Sequence, residues 1–361
     1  MTRLREEQVH GAFSPHHLNL ILFATERCNF RCTYCYESFL IGKMKRPVID
    51  GVKALLERRA EDLDSLEISW FGGEPLVAKD VVQEVSAYAS ALASRIPNLE
   101  YTANMTTNGY FLDQTTVETL HAIGVRTYQV SLDGPADIHD RTRVQASGRG
   151  TFDQIWNNLR AIRDSELPVT VILRIHYSPT TWKLLDPLIE AVNAEFGQDR
   201  RFGVHFKSIE HLGGPNDQNF AVFSHEKSEA IKSVLDGRLR SPEQVYKLVP
   251  ADWAYVCYAS QANSLVVRAD GSLGKCTVAL YDDRNLIGQL YPDGTMHVDQ
   301  SKFRPWLRGF ETLDEVDLAC PLMALSPSPL QNESPSRSPA VSLELGAGLA
   351  AHRTQAEAQQ P

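Results

Sequence analysis

The sequence predicts an α/β protein built on a parallel sheet, with a smaller cysteine-containing extension after it. Three observations predict this. Six apolar runs rich in β-formers recur between residues 18 and 206. Amphipathic helical patterns separate them, and alternation of strand with helix implies right-handed βαβ units. After about residue 215 the alternation stops, and short strand and turn signals replace it.

The strand-like runs are 18–24 (LNLILFA), 66–71 (LEISWF), 101–107 (YTANMTT), 127–132 (TYQVSL), 169–175 (VTVILRI) and 202–206 (FGVHF). Helices are expected at 48–62, 79–94, 114–123, 152–164 and 182–196, where apolar residues repeat at helical spacing. Such a sheet can stay open or roll into a barrel, and periodicity does not choose between them. Residues 222–248 read as helical. Residues 257–300 read as short strands, with Asp270-Gly271 and Asp293-Gly294 as turn signals. From Ser326 the composition shifts to Ser, Pro, Ala, Gln and Glu without an apolar period, which predicts disorder. The expected organisation is therefore an N-terminal segment 1–17, an α/β domain 18–215, a helical linker with a small extension 216–325, and a disordered tail 326–361.

The chain has 361 residues and is 43% hydrophobic, enough to build a full core. Its 36 basic and 45 acidic residues are spread along the chain, giving a net charge of -9. No basic stripe stands out, which argues against a nucleic-acid partner. No apolar run approaches the roughly 18 residues of a membrane span. Residues 1–17 are polar and lack a signal peptide's apolar stretch. A cytoplasmic location is expected, and no recognition domain is expected ahead of the first strand. In a reducing compartment the six cysteines are better read as metal ligands or catalytic groups than as disulfides.

Three of them form Cys28-Asn29-Phe30-Arg31-Cys32-Thr33-Tyr34-Cys35, a C-x3-C-x2-C run four residues past the first strand. Parallel α/β proteins place their working loops there. Three thiolates in eight residues can converge on one metal centre, and Arg31 and Glu37 beside them argue against a buried structural role. Three protein ligands on a four-iron cluster leave one iron open, as an open position distinguishes catalytic from structural zinc.

The run resembles the signature of the radical S-adenosylmethionine (SAM) superfamily, C-x3-C-x-aromatic-C, with Tyr34 as the aromatic. The resemblance implies a partial (β/α)6 TIM-like barrel. It also implies a 4Fe-4S cluster on Cys28, Cys32 and Cys35 that cleaves SAM to a 5′-deoxyadenosyl radical. Gly72-Gly73-Glu74 after the second strand looks like the loop that holds the SAM amino group, since glycines let backbone approach a ligand closely. Asn108 ends the third strand, and Ser131 and Asp133 end the fourth, where barrel sites form. The run 131–143 (SLDGPADIHDRTR) resembles the peptide-modifying branch, which adds Arg143, a cation suited to a carboxylate. Arg174 on the fifth strand points into the barrel or into the helix layer. His139 and His176 read as structural.

Cys257, thirteen residues, Gly271, four residues and Cys276 look like the opening of a SPASM domain, which holds auxiliary clusters in peptide and protein maturases. The family continues with C-x2-C-x5-C-x3-C. Here Cys320 matches the second position, while Asp317, Ser326 and Leu330 stand at the others. Only three cysteines remain where the family has seven, so at most one auxiliary cluster is expected, on Cys257, Cys276 and Cys320; a hard oxygen ligand such as Asp317 would suit iron–sulfur poorly.

The resemblance implies modification of a ribosomally made peptide by crosslinking, thioether formation or epimerisation, with a peptide or protein substrate and an electron donor such as flavodoxin or ferredoxin. The alternatives are formylglycine formation, as in sulfatase maturases, and a catalytically decayed iron–sulfur protein. Sulfatase maturases carry an Asp as the presumed base after the cysteine matching Cys276. Here that residue is Thr277, which favours the peptide branch. No catalytic residue is assigned.

Overall fold

The computed structural model describes residues 4–247 and 253–325. The tail expected over 326–361 lies outside the described residues. Helix α1 (Glu6–Phe13) leads into β1 (His17–Thr25). Then follow α2 (Arg46–Arg59), β2 (Ser65–Gly72), α3 (Lys79–Arg95), β3 (Glu100–Thr107), α4 (Gln114–Ala122) and β4 (Val125–Leu132). Helices α5 (Ala136–Thr142) and α6 (Phe152–Asp164) precede β5 (Thr170–Tyr177), α7 (Asp186–Glu195) and β6 (Phe202–Ser208). All six expected strands are present, with ends within two residues of the reading.

Strands β1 to β6 pair in order and in parallel. Their outward faces, together with α2, α3, α4, α6 and α7, form one apolar core in which Leu20, Trp70, Val130 and Leu173 are essentially inaccessible. Burial on this scale drives the fold. The inward faces are more polar and carry Glu67, Asn104, Gln129 and Arg174.

Past β6 the expected helix 222–248 is only α8 (His225–Asp236), followed by a single turn at Pro242–Gln244. Gly237 sits at the end of α8, Pro242 has no N–H for a continuing helix, and Val245 forms an isolated bridge with Val204. Residue 248 lies outside the described residues. The extension supplies β7 (Ser264–Val267), β8 (Ser272–Gly274), β9 (Gly288–Leu290) and β10 (Met296–Val298). Both expected turns form, with Gly271 at φ +85° and Gly294 at φ +80°. Strand β7 pairs in parallel with β1, and β8, β9 and β10 add antiparallel. The result is one ten-stranded sheet, ordered β10-β9-β8-β7-β1-β2-β3-β4-β5-β6, whose ends do not meet. It is an open, partial barrel. Short helices α9 (Gln300–Phe303), α10 (Arg308–Thr312), α11 (Glu315–Ala319) and α12 (Pro321–Ala324) follow. No helix among the described residues is long and apolar enough to cross a membrane.

Candidate active site

The loop after β1 carries the three clustered cysteines, and two neighbouring segments hold its shape. The Arg31 N–H donates to the Val144 carbonyl (2.8 Å) and the Thr33 N–H to the Thr142 carbonyl (2.9 Å). On the other side Gly73 and Glu74 donate their N–H groups to the carbonyls of Thr25 (3.2 Å) and Arg27 (3.0 Å). Gly72 has φ +116°, and a Cβ there would lie 2.3 Å from the Thr25 oxygen. Only glycine permits this approach of two backbones.

Cys28, Cys32 and Cys35 all line one cavity at the C-terminal ends of the strands, with Gly72, Gly73, Asn108, Ser131 and Arg143. The structure thus brings together most residues singled out in the sequence. Two of those near the strand ends behave differently. Glu74 is 1% exposed, and its carboxylate accepts from Leu76 N–H, Thr107 Oγ1 and Asn108 N–H at 2.7–3.0 Å. It ties the ends of β2 and β3 together and does not line the cavity. Asp133 is likewise buried. One oxygen accepts from Tyr34 Oη (2.7 Å) and meets His176 Nδ1 (3.2 Å), and the other accepts from Thr142 Oγ1 (2.7 Å). Arg143 donates to Tyr34 Oη (3.0 Å). Burial disfavours the Asp133 charge, yet the His176 hydrogen bond and the Arg143 charge hold its pKa well below the usual range. Burial pushes His176 down to about 4. His139 is fully buried between the Asp133 N–H and Thr151 Oγ1, a structural placement.

Sequence reasoning missed several cavity residues. Arg174 enters the cavity rather than the helix layer. Glu37 lines it and is 4% exposed with neither oxygen hydrogen-bonded, contrary to the expected exposure. Burial first, and the Glu26 charge second, push its pKa up to about 8. Lys207 and Glu210 line the cavity as an ion pair at 2.6 Å. Strand parity offered a signal: Arg174 and His176 share the inward face of β5.

The cysteines suit an iron–sulfur cluster. All three are free thiols, partly exposed to the shared cavity. Burial raises each pKa, that of Cys35 to about 12, so a metal centre would have to displace their protons. Among the described residues no three His, Cys, Asp or Glu side chains converge tightly enough for a single ion. Thiolates spread over separate irons do not need that convergence, whereas tetrahedral zinc does.

The other three cysteines are buried in the extension, where the Cys257 N–H donates to the Leu318 carbonyl (2.9 Å) and the Thr277 N–H to Tyr258 Oη (2.8 Å). None lines the cavity, although Thr277 does. Asp317 turns its carboxylate toward Arg308 (3.8 Å).

The sequence profile of the radical SAM superfamily matches residues 22–189. The cysteine-type anaerobic sulfatase-maturating enzyme of Clostridium novyi (strain NT) is 23% identical over 291 residues, 73% of this chain and 74% of that protein. A GTP 3′,8-cyclase of Cyanothece sp. is 27% identical over 283 residues, 70% of this chain and 78% of that protein. Among solved structures, native anSMEcpe with bound AdoMet and Kp18Cys peptide superposes with a TM-score of 0.60 at 18% identity, covering 81% of this chain and 84% of that one. Streptococcus suis SuiB bound to precursor peptide SuiA gives 0.59 at 13% identity, covering 85% and 69%. These two likenesses establish the shared fold. Residues 22–189 of this chain are a radical SAM domain, and the protein is a radical SAM enzyme.

Proposed function

We propose that Cys28, Cys32 and Cys35 hold the 4Fe-4S cluster and that the enzyme modifies a peptide by crosslinking, thioether formation or epimerisation. The observation that carries this reading is the single cavity shared by the three thiols, the Gly72-Gly73 backbone, Ser131 and Arg143. When bound, the cluster supplies the electron that cleaves SAM to a 5′-deoxyadenosyl radical, drawn from a donor such as flavodoxin or ferredoxin.

The chain's residues bind and orient. The Gly72-Gly73 backbone receives the SAM ammonium group, and Ser131 and Arg143 receive its carboxylate. Asp133 and Tyr34 hold the Arg143 guanidinium by a buried network, so its orientation is set before SAM arrives. Glu74 and Asn108 act as positioning residues: the Asn108 amide donates to Asn29 Oδ1 (2.8 Å) inside the cysteine loop. Cys257, Cys276 and Cys320 serve at most one auxiliary cluster, without Asp317.

A peptide substrate is supported by the fold shared with proteins solved with bound peptides. Formylglycine formation is the weaker reading. Thr277 stands where a sulfatase maturase has its carboxylate, and its Oγ1 lies 3.0 Å from Tyr258 Oη. The test is 5′-deoxyadenosine formation with SAM and dithionite, followed by mass analysis of candidate precursor peptides. The Cys28→Ala protein should form none above background. Cleavage that survives this substitution refutes the assignment.

A further inference from the structure

The barrel wall at the β6 edge carries basic groups outside the set assigned to SAM above. Strand β5 sends Arg174 and His176 into the cavity, and β6 sends Lys207. The parallel register sets His205 beside Arg174 and Lys207 beside His176, so four basic side chains share one face. Two of them are answered: Lys207 by Glu210, and His176 by Asp133. Two are not. Arg174 makes no hydrogen bond or ion pair among the described residues, and its Nε is buried without a partner. His205 is 7% exposed, and neither ring nitrogen is hydrogen-bonded.

Arg174 is half-buried, with its Nε shielded and unpartnered, so this wall offers an anion a guanidinium that no carboxylate of the chain already holds. The two cavity guanidiniums are held differently. Arg143 is coupled to Cys32, Tyr34 and Asp133. Tyr36 and then Glu210 favour the charge on Arg174, and Glu210 is already paired with Lys207. Arg143 is thus held by Tyr34 and Asp133, and Arg174 faces the same cavity without such a hold.

We propose that Arg174, from its place in the cavity wall, binds a carboxylate of the substrate, from an acidic side chain or a free C-terminus. This rests on the peptide reading above and narrows it to carboxylate-bearing peptides. The planar fork of an arginine suits bidentate carboxylate recognition.

The test is calorimetric titration of the anaerobically reconstituted, SAM-loaded enzyme. The probes are acetyl-Ala-Glu-Ala-amide, acetyl-Ala-Gln-Ala-amide, acetyl-Ala-Gln-Ala with a free C-terminus, and inorganic phosphate. At least one acid should bind about tenfold more tightly than the neutral amide, and the stronger acid names the carboxylate's source. Arg174→Gln should erase that preference, Arg174→Lys should keep part of it, and SAM affinity should hold in both. Equal binding of acidic and neutral peptides overturns the proposal. So does a tenfold loss of SAM affinity in Arg174→Gln, which would give the guanidinium to SAM. Phosphate binding more tightly than either acid also overturns it, in favour of a phosphorylated substrate. SAM cleavage is scored on the same samples. Cleavage without acid preference sinks this proposal alone, and the absence of both sinks the wider reading too.

Discussion

Replacing Gly73 by Ala tests how closely the Gly72-Gly73 loop and the cysteine loop are joined. A methyl at this position would lie 2.5 Å from the Arg27 carbonyl oxygen and 2.8 Å from that of Glu26. Both neighbours are backbone, so no rotamer change relieves the clash. The two loops must separate by several tenths of an ångström, stretching the hydrogen bonds from Gly73 and Glu74 to Thr25 and Arg27. Overpacking of this kind costs about 1–3 kcal/mol of stability. Misplacement approaching an ångström near reacting groups costs up to about a hundredfold in rate. The cysteines themselves are untouched. Gly73→Ala should therefore keep most of its iron but form 5′-deoxyadenosine about ten- to a hundredfold more slowly. Gly11→Ala, where the new methyl meets nothing within 4 Å, should match the wild type. Wild-type SAM cleavage by Gly73→Ala would refute the claim that this backbone contact sets the site.

Other consequences follow from the buried charges. Glu26, fully buried, is gripped by Arg268 of the extension through two hydrogen bonds, 3.0 and 2.6 Å long. Arg268→Met leaves that carboxylate stranded and should cost about 3–5 kcal/mol, lowering the melting temperature by about 6 °C or more. Glu26→Gln with Arg268→Met should recover much of the loss, and a double variant no better than the single would contradict the pairing. Glu67, buried with one hydrogen bond from Asn104, is pushed up to about 8, chiefly by burial. Its contribution is fully present below the ordinary carboxylate range and is lost as pH rises through about 8. Across that window stability should fall by about 1.4 kcal/mol per pH unit. Thermal melts from pH 5 to 8 should show this slope flattened in Glu67→Gln. An unchanged slope would mean that Glu67 ionises freely.

Legibility in the sequence followed the range of the forces involved. Strands β1 to β6 were readable because each is a short apolar run buried by its own helix layer. The cysteine loop and Gly72-Gly73 were legible as walls of one cavity because each is a short motif directly after a strand. Glu37 was not, because it lies in a cavity whose wall includes Thr277 and Val278 from far along the chain. The same long-range contact hid the pairing of β7 with β1, since nothing in SLVV or LNLI specifies its partner. The helix expected to 248 failed for a local reason, the Gly237 and Pro242 breaks. Asp133 and Glu74 were placed in the right neighbourhood, but only three-dimensional contacts show that they brace the wall.

The most direct test of the central claim compares iron, sulfide and SAM cleavage in reconstituted wild type and a Cys28/Cys32/Cys35→Ala variant. The account predicts a loss of about four irons per chain, one cluster's worth, together with all 5′-deoxyadenosine formation, whatever iron the extension retains. A variant that keeps its full iron and still cleaves SAM would contradict it.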